Sequence, residues 1–90
     1  MNRVIITVIG KDRPGIIAAV CVYLAEHKVN ILEISQTIVD GFFNMMMIVD
    51  TRTLDLSFSE MEKGLDQVGT EVGVMIKCQR EEIFTSMHRI

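Results

Sequence analysis

The apolar residues of this chain fall into successive blocks whose period changes from one to the next. Arg3 to Ile9 is β-branched and apolar at nearly every position, which suits a central strand covered on both faces. Ile17, Val20, Cys21 and Leu24 then recur at helical spacing and predict a helix from about Pro14 to Lys28. Ala18, Ala19 and Ala25 favour that helix, and His27-Lys28 suits its C-terminal end, with His27 as a solvated partner of the helix dipole. Ile31 to Val39 and Phe42 to Asp50 flank Asp40-Gly41, a dipeptide that supplies the positive backbone angles of a two-residue hairpin turn.

Pairing outward from that turn puts Leu32, Ile34, Gln36 and Ile38 on one face with Val49, Met47, Met45 and Phe43, and this face is expected to be core. The opposite face carries Glu33, Ser35, Thr37, Asn44, Met46 and Ile48, a mixture that calls for partial cover. Of the Met45-Met46-Met47 run, alternation sends Met46 outward and the other two inward.

Ser57 and Glu60 form a capping box, followed by Phe58, Met61, Leu65, Val68 and Val72 down one helical face. Val74, Ile76 and Cys78 alternate with Met75, Lys77 and Gln79, the pattern of a half-buried or edge strand. From about Arg80 to Ile90 a helix-like tail carries Ile83, Phe84, Met87 and Ile90, enough apolar surface to dock on the mixed sheet face or on a partner chain. The order is βαββαβ. With right-handed crossovers it predicts an α+β, ferredoxin-like domain over residues 1–80: a four-stranded antiparallel sheet with two helices on one face, plus a short C-terminal helix over 81–90.

At 90 residues the chain fits one domain with a small core, for which dimerisation is the expected source of extra stability. A net charge of -3 argues against nucleic-acid binding. Cys21 and Cys78 show no metal-ligand spacing and are expected to be buried thiols in a reducing compartment. No charged-then-apolar leader precedes the first strand, and no apolar run approaches the roughly 20 residues of a membrane span. The expectation is a soluble, cytoplasmic protein.

The chemistry concentrates between the first strand and the first helix, at Gly10-Lys11-Asp12-Arg13-Pro14-Gly15. Asp12 can cap the helix, Pro14 is tolerated in a first turn, and Gly15 leaves the backbone bare for an approaching group. Gly10 and Gly15 have the spacing of a Walker loop, but Ile16 and Ile17 replace the lysine and hydroxyl that would hold phosphate and magnesium, which excludes nucleotide binding of that type.

The run Val8 to Ile16, the strand start Val29-Asn30-Ile31 and Ile34-Ser35-Gln36 resemble an ACT domain across the whole chain. The closing stretch Gln79 to Phe84, with Met87 to Ile90, resembles the small stand-alone, uncharacterised ACT-domain proteins of microbes, and is similar in kind to the ACT units of glycine-cleavage repressor-like proteins. The resemblance implies a regulatory module that pairs side by side. It further implies a free amino acid bound between the first loop of one subunit and the second strand of its neighbour. On that basis the ligand-binding residues are Asp12, Arg13, Pro14, Gly15 and Ile16 in the loop and Asn30, Ile31 and Leu32 at the strand start, with Ile16 and Leu32 as apolar walls. The loop departs from serine-binding members of the family, which often carry a histidine and an asparagine where this chain has Gly10 and Asp12.

Other functions meet specific obstacles. His27 and His88 have no triad partner in sequence context, and the glycine-rich arginine loop of acylphosphatases is missing, so no catalytic residue is assigned. A metal chaperone of this topology needs paired cysteines in the first loop, and an RNA-recognition sheet needs stacking aromatics where Phe42 stands nearly alone. No metal or cofactor is expected. The alternative that remains is a docking or dimerisation module with no ligand, built on the sheet face and tail and serving a larger protein partner.

Overall fold

A computed structural model describes residues 3–81. Its elements are β1 (Arg3–Lys11), α1 (Ile16–Glu26), β2 (Asn30–Val39), β3 (Phe42–Asp50), α2 (Phe58–Val72) and β4 (Val74–Arg80). The strands form one antiparallel sheet in the order β2-β3-β1-β4, the ferredoxin-like arrangement expected from the element order. The expected C-terminal helix falls almost wholly outside the described residues.

Burial follows the alternation on β1, β3 and β4. Val4, Ile6 and Val8 of β1, Phe43, Met45, Met47 and Val49 of β3, and Ile76 and Cys78 of β4 all enter one core. Ile16, Val20 and Leu24 of α1 and Met61 and Leu65 of α2 close over it. Met46 points away from this core and is 41% exposed. Strand β1 is buried on both faces at its beginning, where Ile5 on the opposite face is also buried, but not at Ile9, which is 47% exposed.

Capping chemistry fixes α2 as anticipated. The Glu60 backbone N–H donates to Ser57 Oγ at 3.1 Å, and the Ser57 N–H donates to Glu60 Oε1 at 2.9 Å. The Ser57 backbone N–H, with a smaller contribution from the Ser57 side chain, holds the Glu60 carboxyl below its ordinary value. At its other end α2 lies so close to β4 that a Cβ on Gly69 would sit 2.6 Å from the Val74 carbonyl oxygen.

Three local expectations are corrected. Helix α1 begins at Ile16, not Pro14, because Gly15 in the left-handed region (φ 89°) is its N-cap and no side chain caps it. It ends at Glu26 rather than Lys28, and His27 is not merely solvated there. The His27 ring lies 2.9 Å from Asp55 Oδ1 through Nδ1, with its ring centre 4.6 Å from that of Tyr23. Finally, a bulge at Leu32 places Ile31, not Leu32, opposite Val49.

The largest correction concerns β2. Ile34, Gln36 and Ile38 do face the same side as Met47, Met45 and Phe43, their register partners, yet they are not core. Ile34 is 46% and Ile38 53% exposed, because β2 is an edge strand that neither helix covers.

Candidate ligand site

Between β1 and α1 the chain reverses in a few residues, and the sequence dictates how. Pro14 fixes its own φ, and Gly15 takes a left-handed conformation that a side chain would strain. A Cβ built on Gly15 meets nothing within 4 Å, so the space above this residue is open. The Asp12 backbone N–H donates to the Gly41 carbonyl at 2.9 Å, tying the loop to the tip of the β2–β3 hairpin. Asp12 is thus an anchor through its backbone and not a helix cap. Among the described residues no hydrogen bond engages its carboxylate.

The loop forms one wall of a recess of about 200 Å³. Asp12, Arg13, Gly15, Ile16, Ile17 and Ala18 supply that wall, and Gln36, Ile38 and Phe43 supply the other. Its floor is apolar, and its rim carries one carboxylate, one guanidinium and one amide. Helix α1 opens onto it without a capping side chain, so the first-turn amides and the positive end of the helix dipole are not neutralised by a cap. Arg13 reaches toward the α2–β4 turn, where its Nη1 lies 3.3 Å from the position a Cβ on Gly73 would take.

Of the expected site residues, the structure brings Asp12, Arg13, Gly15 and Ile16 together at this recess. Pro14 shapes the turn but does not line it. Ile16 is 2% exposed and belongs mainly to the core. Asn30, Ile31 and Leu32 lie elsewhere. Asn30 pairs with Asp50, which in turn pairs with Arg3, whereas the loop leaves the sheet at Lys11, beside Phe42 and Val39. The two half-sites of one chain therefore stand at opposite ends of β2, roughly 30 Å apart at the usual rise of a strand.

Asn30 has its own recess of about 430 Å³, shared with Asp50, Arg52 and Thr53. Here the Arg52 N–H and Nε donate to Asp50 Oδ1 and Oδ2, each at 2.9 Å, and Nη2 lies 2.8 Å from Oδ2. These bonds hold the Asp50 carboxyl below its ordinary value. Thr53 Oγ1 donates to the Lys28 carbonyl at 2.7 Å, fixing the adjacent turn.

A model of the ACT domain family matches residues 2–79. The chain belongs to the ACT domain family. A UPF0237 protein of Bifidobacterium longum is 61% identical to this ACT domain over 90 residues, the full length of both chains. Another, from Methanocaldococcus jannaschii, is 48% identical over the same span and again covers both chains completely. Among solved structures, an ACT domain protein from Streptococcus pneumoniae superposes with a TM-score of 0.81 at 38% identity, covering 91% of this chain and 92% of that one. ACT domains are regulatory ligand-binding modules, and this chain spans the full length of those two relatives.

Gln36, Ile38, Phe43, Arg52 and Thr53 were missed as site residues. Gln36 had a signal: it is the one polar residue in an otherwise apolar alternation of Leu32, Ile34 and Ile38. Arg52 and Thr53 had none, because only the fold sets them beside Asn30. Elsewhere, Cys21 and Cys78 are free thiols, and burial, with a smaller contribution from Glu62, pushes Cys78 up to about 12. Among the described residues no group of His, Cys, Asp and Glu is placed to hold a metal ion. Nor is any helix there long and apolar enough to cross a membrane.

Proposed function

We propose that this ACT domain senses a free amino acid at the seam between two copies of itself, paired through their β2 edges. The observation that carries this reading is the distance between the half-sites. One chain holds the loop and Asn30 at opposite ends of an uncovered strand. Two such strands running antiparallel with full overlap set Asn30 of one copy beside Val39 of the other, next to the loop recess, and with Leu32 bulged out of the ladder they put the two-fold axis at Ser35. Each seam then holds two equivalent sites, each completed by both chains.

The edge is suited to such pairing. It is ten residues long, carries exposed Leu32, Ile34, Ile38 and Val39, and has Glu33 as its only charge. A long apolar edge with so little protection is a surface that proteins otherwise keep covered.

In the assembled site, the Asp12 carboxylate attracts the ligand's ammonium group, and Asn30 of the neighbouring copy offers both a donor and an acceptor. Ile38 and Phe43 form the apolar wall, with Gln36 at its edge. Because the ligand touches both chains, binding and association are linked, and the regulatory output passes to whatever larger protein reads the dimer.

The test is thermal unfolding against the twenty free amino acids at two protein concentrations, beside sedimentation of the same samples. A selective rise in midpoint is expected, about 2.7 kcal/mol of added stability at one hundred times the dissociation constant. Gly15→Leu and Asn30→Ala are each expected to remove the response and leave a folded protein. A dimer that responds to none of the twenty would instead establish a docking module.

A further inference from the structure

We propose that Arg52 of the neighbouring copy is the cation that receives the ligand's α-carboxylate, so that each site takes its negative group from one chain and its fixed positive group from the other. This rests on the β2-paired reading above and adds to it a residue that neither the loop nor the strand start contains.

Charge and position both point to Arg52. A free amino acid brings an ammonium group and a carboxylate. The loop offers the Asp12 carboxylate to the first, but the one cation of the loop that lines the recess, Arg13, extends to the α2–β4 turn beside Gly73, and Lys11 lies outside the recess lining. The recess that holds Asn30 also holds Arg52, so the pairing that delivers Asn30 to the loop delivers a guanidinium with it.

That guanidinium is held in place. Asp50 engages its Nε and Nη2, and the backbone N–H of Arg52 donates to the same carboxylate, which fixes the start of the side chain as well as its head. A planar guanidinium has five N–H donors, and this arrangement leaves the Nη1 pair and one Nη2 hydrogen for a second carboxylate. The Arg52 side chain is 73% exposed while Asp50 beneath it is 16% exposed, so the open side of the fork faces outward, where a neighbour would bring a ligand. Asp50 is thus a positioning residue and Arg52 the contact.

The experiment measures binding of the twenty free L-amino acids by calorimetry, and of the primary amide of any that binds, to the full chain and to Arg52→Ala, Arg52→Lys and Arg13→Ala. Loss of a charge-assisted contact is expected to weaken the acid by roughly 10- to 100-fold in Arg52→Ala and to abolish the preference for acid over amide. Arg52→Lys should recover part of that preference, and Arg13→Ala should keep it. Mixing equal amounts of Arg52→Ala and Gly15→Leu, each impaired alone, should restore about a quarter of the normal number of tight sites, because half of the dimers are then mixed and one of the two sites in each mixed dimer has both intact halves.

Full binding by Arg52→Ala, or loss of the acid preference in Arg13→Ala instead, would overturn the assignment of Arg52 while leaving the amino-acid reading in place. Failure of the mixed dimer to recover any sites would show that Arg52 does not act across the seam. Absence of binding by the unaltered chain, or a monomer at every concentration, would overturn the underlying reading and this one with it.

Discussion

The two edges of the sheet are built to opposite ends. Strand β4 is seven residues long, lies under α2, and contributes Ile76 and Cys78 to the core, with Arg80 stacked 4.3 Å above the Phe58 ring at the start of that helix. Strand β2 is ten residues long, and no residue in it is buried. One edge is spent on holding the fold together. The other is left uncovered, so the edge that stabilises this ACT domain and the edge through which the proposed pairing would act are different strands.

The sharpest way to break this contrast is a pair of truncations. Leu65→Ala empties a fully buried site between α2 and the sheet and is expected to cost about 3 kcal/mol in urea unfolding. Ile34→Ala at the centre of β2 should change unfolding of the monomer by about 0.5 kcal/mol or less. Its effect should appear in the concentration dependence of sedimentation instead. Equal losses of monomer stability would mean that β2 is packed in a way its exposure hides.

A smaller effect should come from the cap of α2. Ser57→Ala removes the acceptor for the Glu60 N–H and is expected to cost about 1 kcal/mol by the same unfolding measurement. It also carries a pH signature. Glu60 in the folded chain titrates below its ordinary value of 4.5, so its contribution is complete above that value and is lost as pH falls through the depressed folded value. Because alanine keeps the Ser57 backbone N–H and loses only the smaller side-chain contribution, urea midpoints measured between pH 6 and pH 3 should fall only slightly less steeply in Ser57→Ala than in the unaltered chain.

Absent at neutral pH but distinct in readout is the effect of the Cys78 thiol in β4. Burial raises Cys78 from 9.0 to about 12, so the folded protein holds the thiol neutral where the unfolded chain would ionise it. Stability is therefore unaffected below pH 9 and declines as pH rises from there toward 12. At pH 8, Cys78 is expected to react with a disulfide reagent only on unfolding, while the half-buried Cys21 reacts first. Rapid modification of Cys78 in the folded chain would show that the covered edge opens readily.

Local chemistry was legible wherever it decides the structure by itself. The Asp40-Gly41 turn fixed both the hairpin and the bounds of β3, and Ser57 with Glu60 fixed the start of α2. Where two residues could do the same job, sequence chose the wrong one: Asp12 has the chemistry of a cap, but Gly15 sits at the cap position. The β2 residues expose a different limit. Alternation tells which side chains share a face, and it paired Ile34 with Met47 correctly, but it does not tell whether a helix lies above that face. Likewise the pairing of His27 with Asp55 joins residues 28 apart, a contact no local pattern announces. The same reasoning explains the site. Its loop could be read from glycine and proline, and the resemblance implied that the second strand serves a neighbouring copy, while the distance from loop to Asn30 within one chain became visible only once the strands were in register.

That remoteness has a consequence for how such a module would behave in a cell. A sensor whose pocket is complete in one chain reports the level of its ligand and nothing else. With the halves at opposite ends of an edge strand, assembly of a pocket requires an encounter between two copies, so occupancy rises with the abundance of the protein as well as that of the ligand. Under the proposed pairing the domain would act as a coincidence counter, silent when scarce even in abundant ligand, and its gene dosage would be part of its signal.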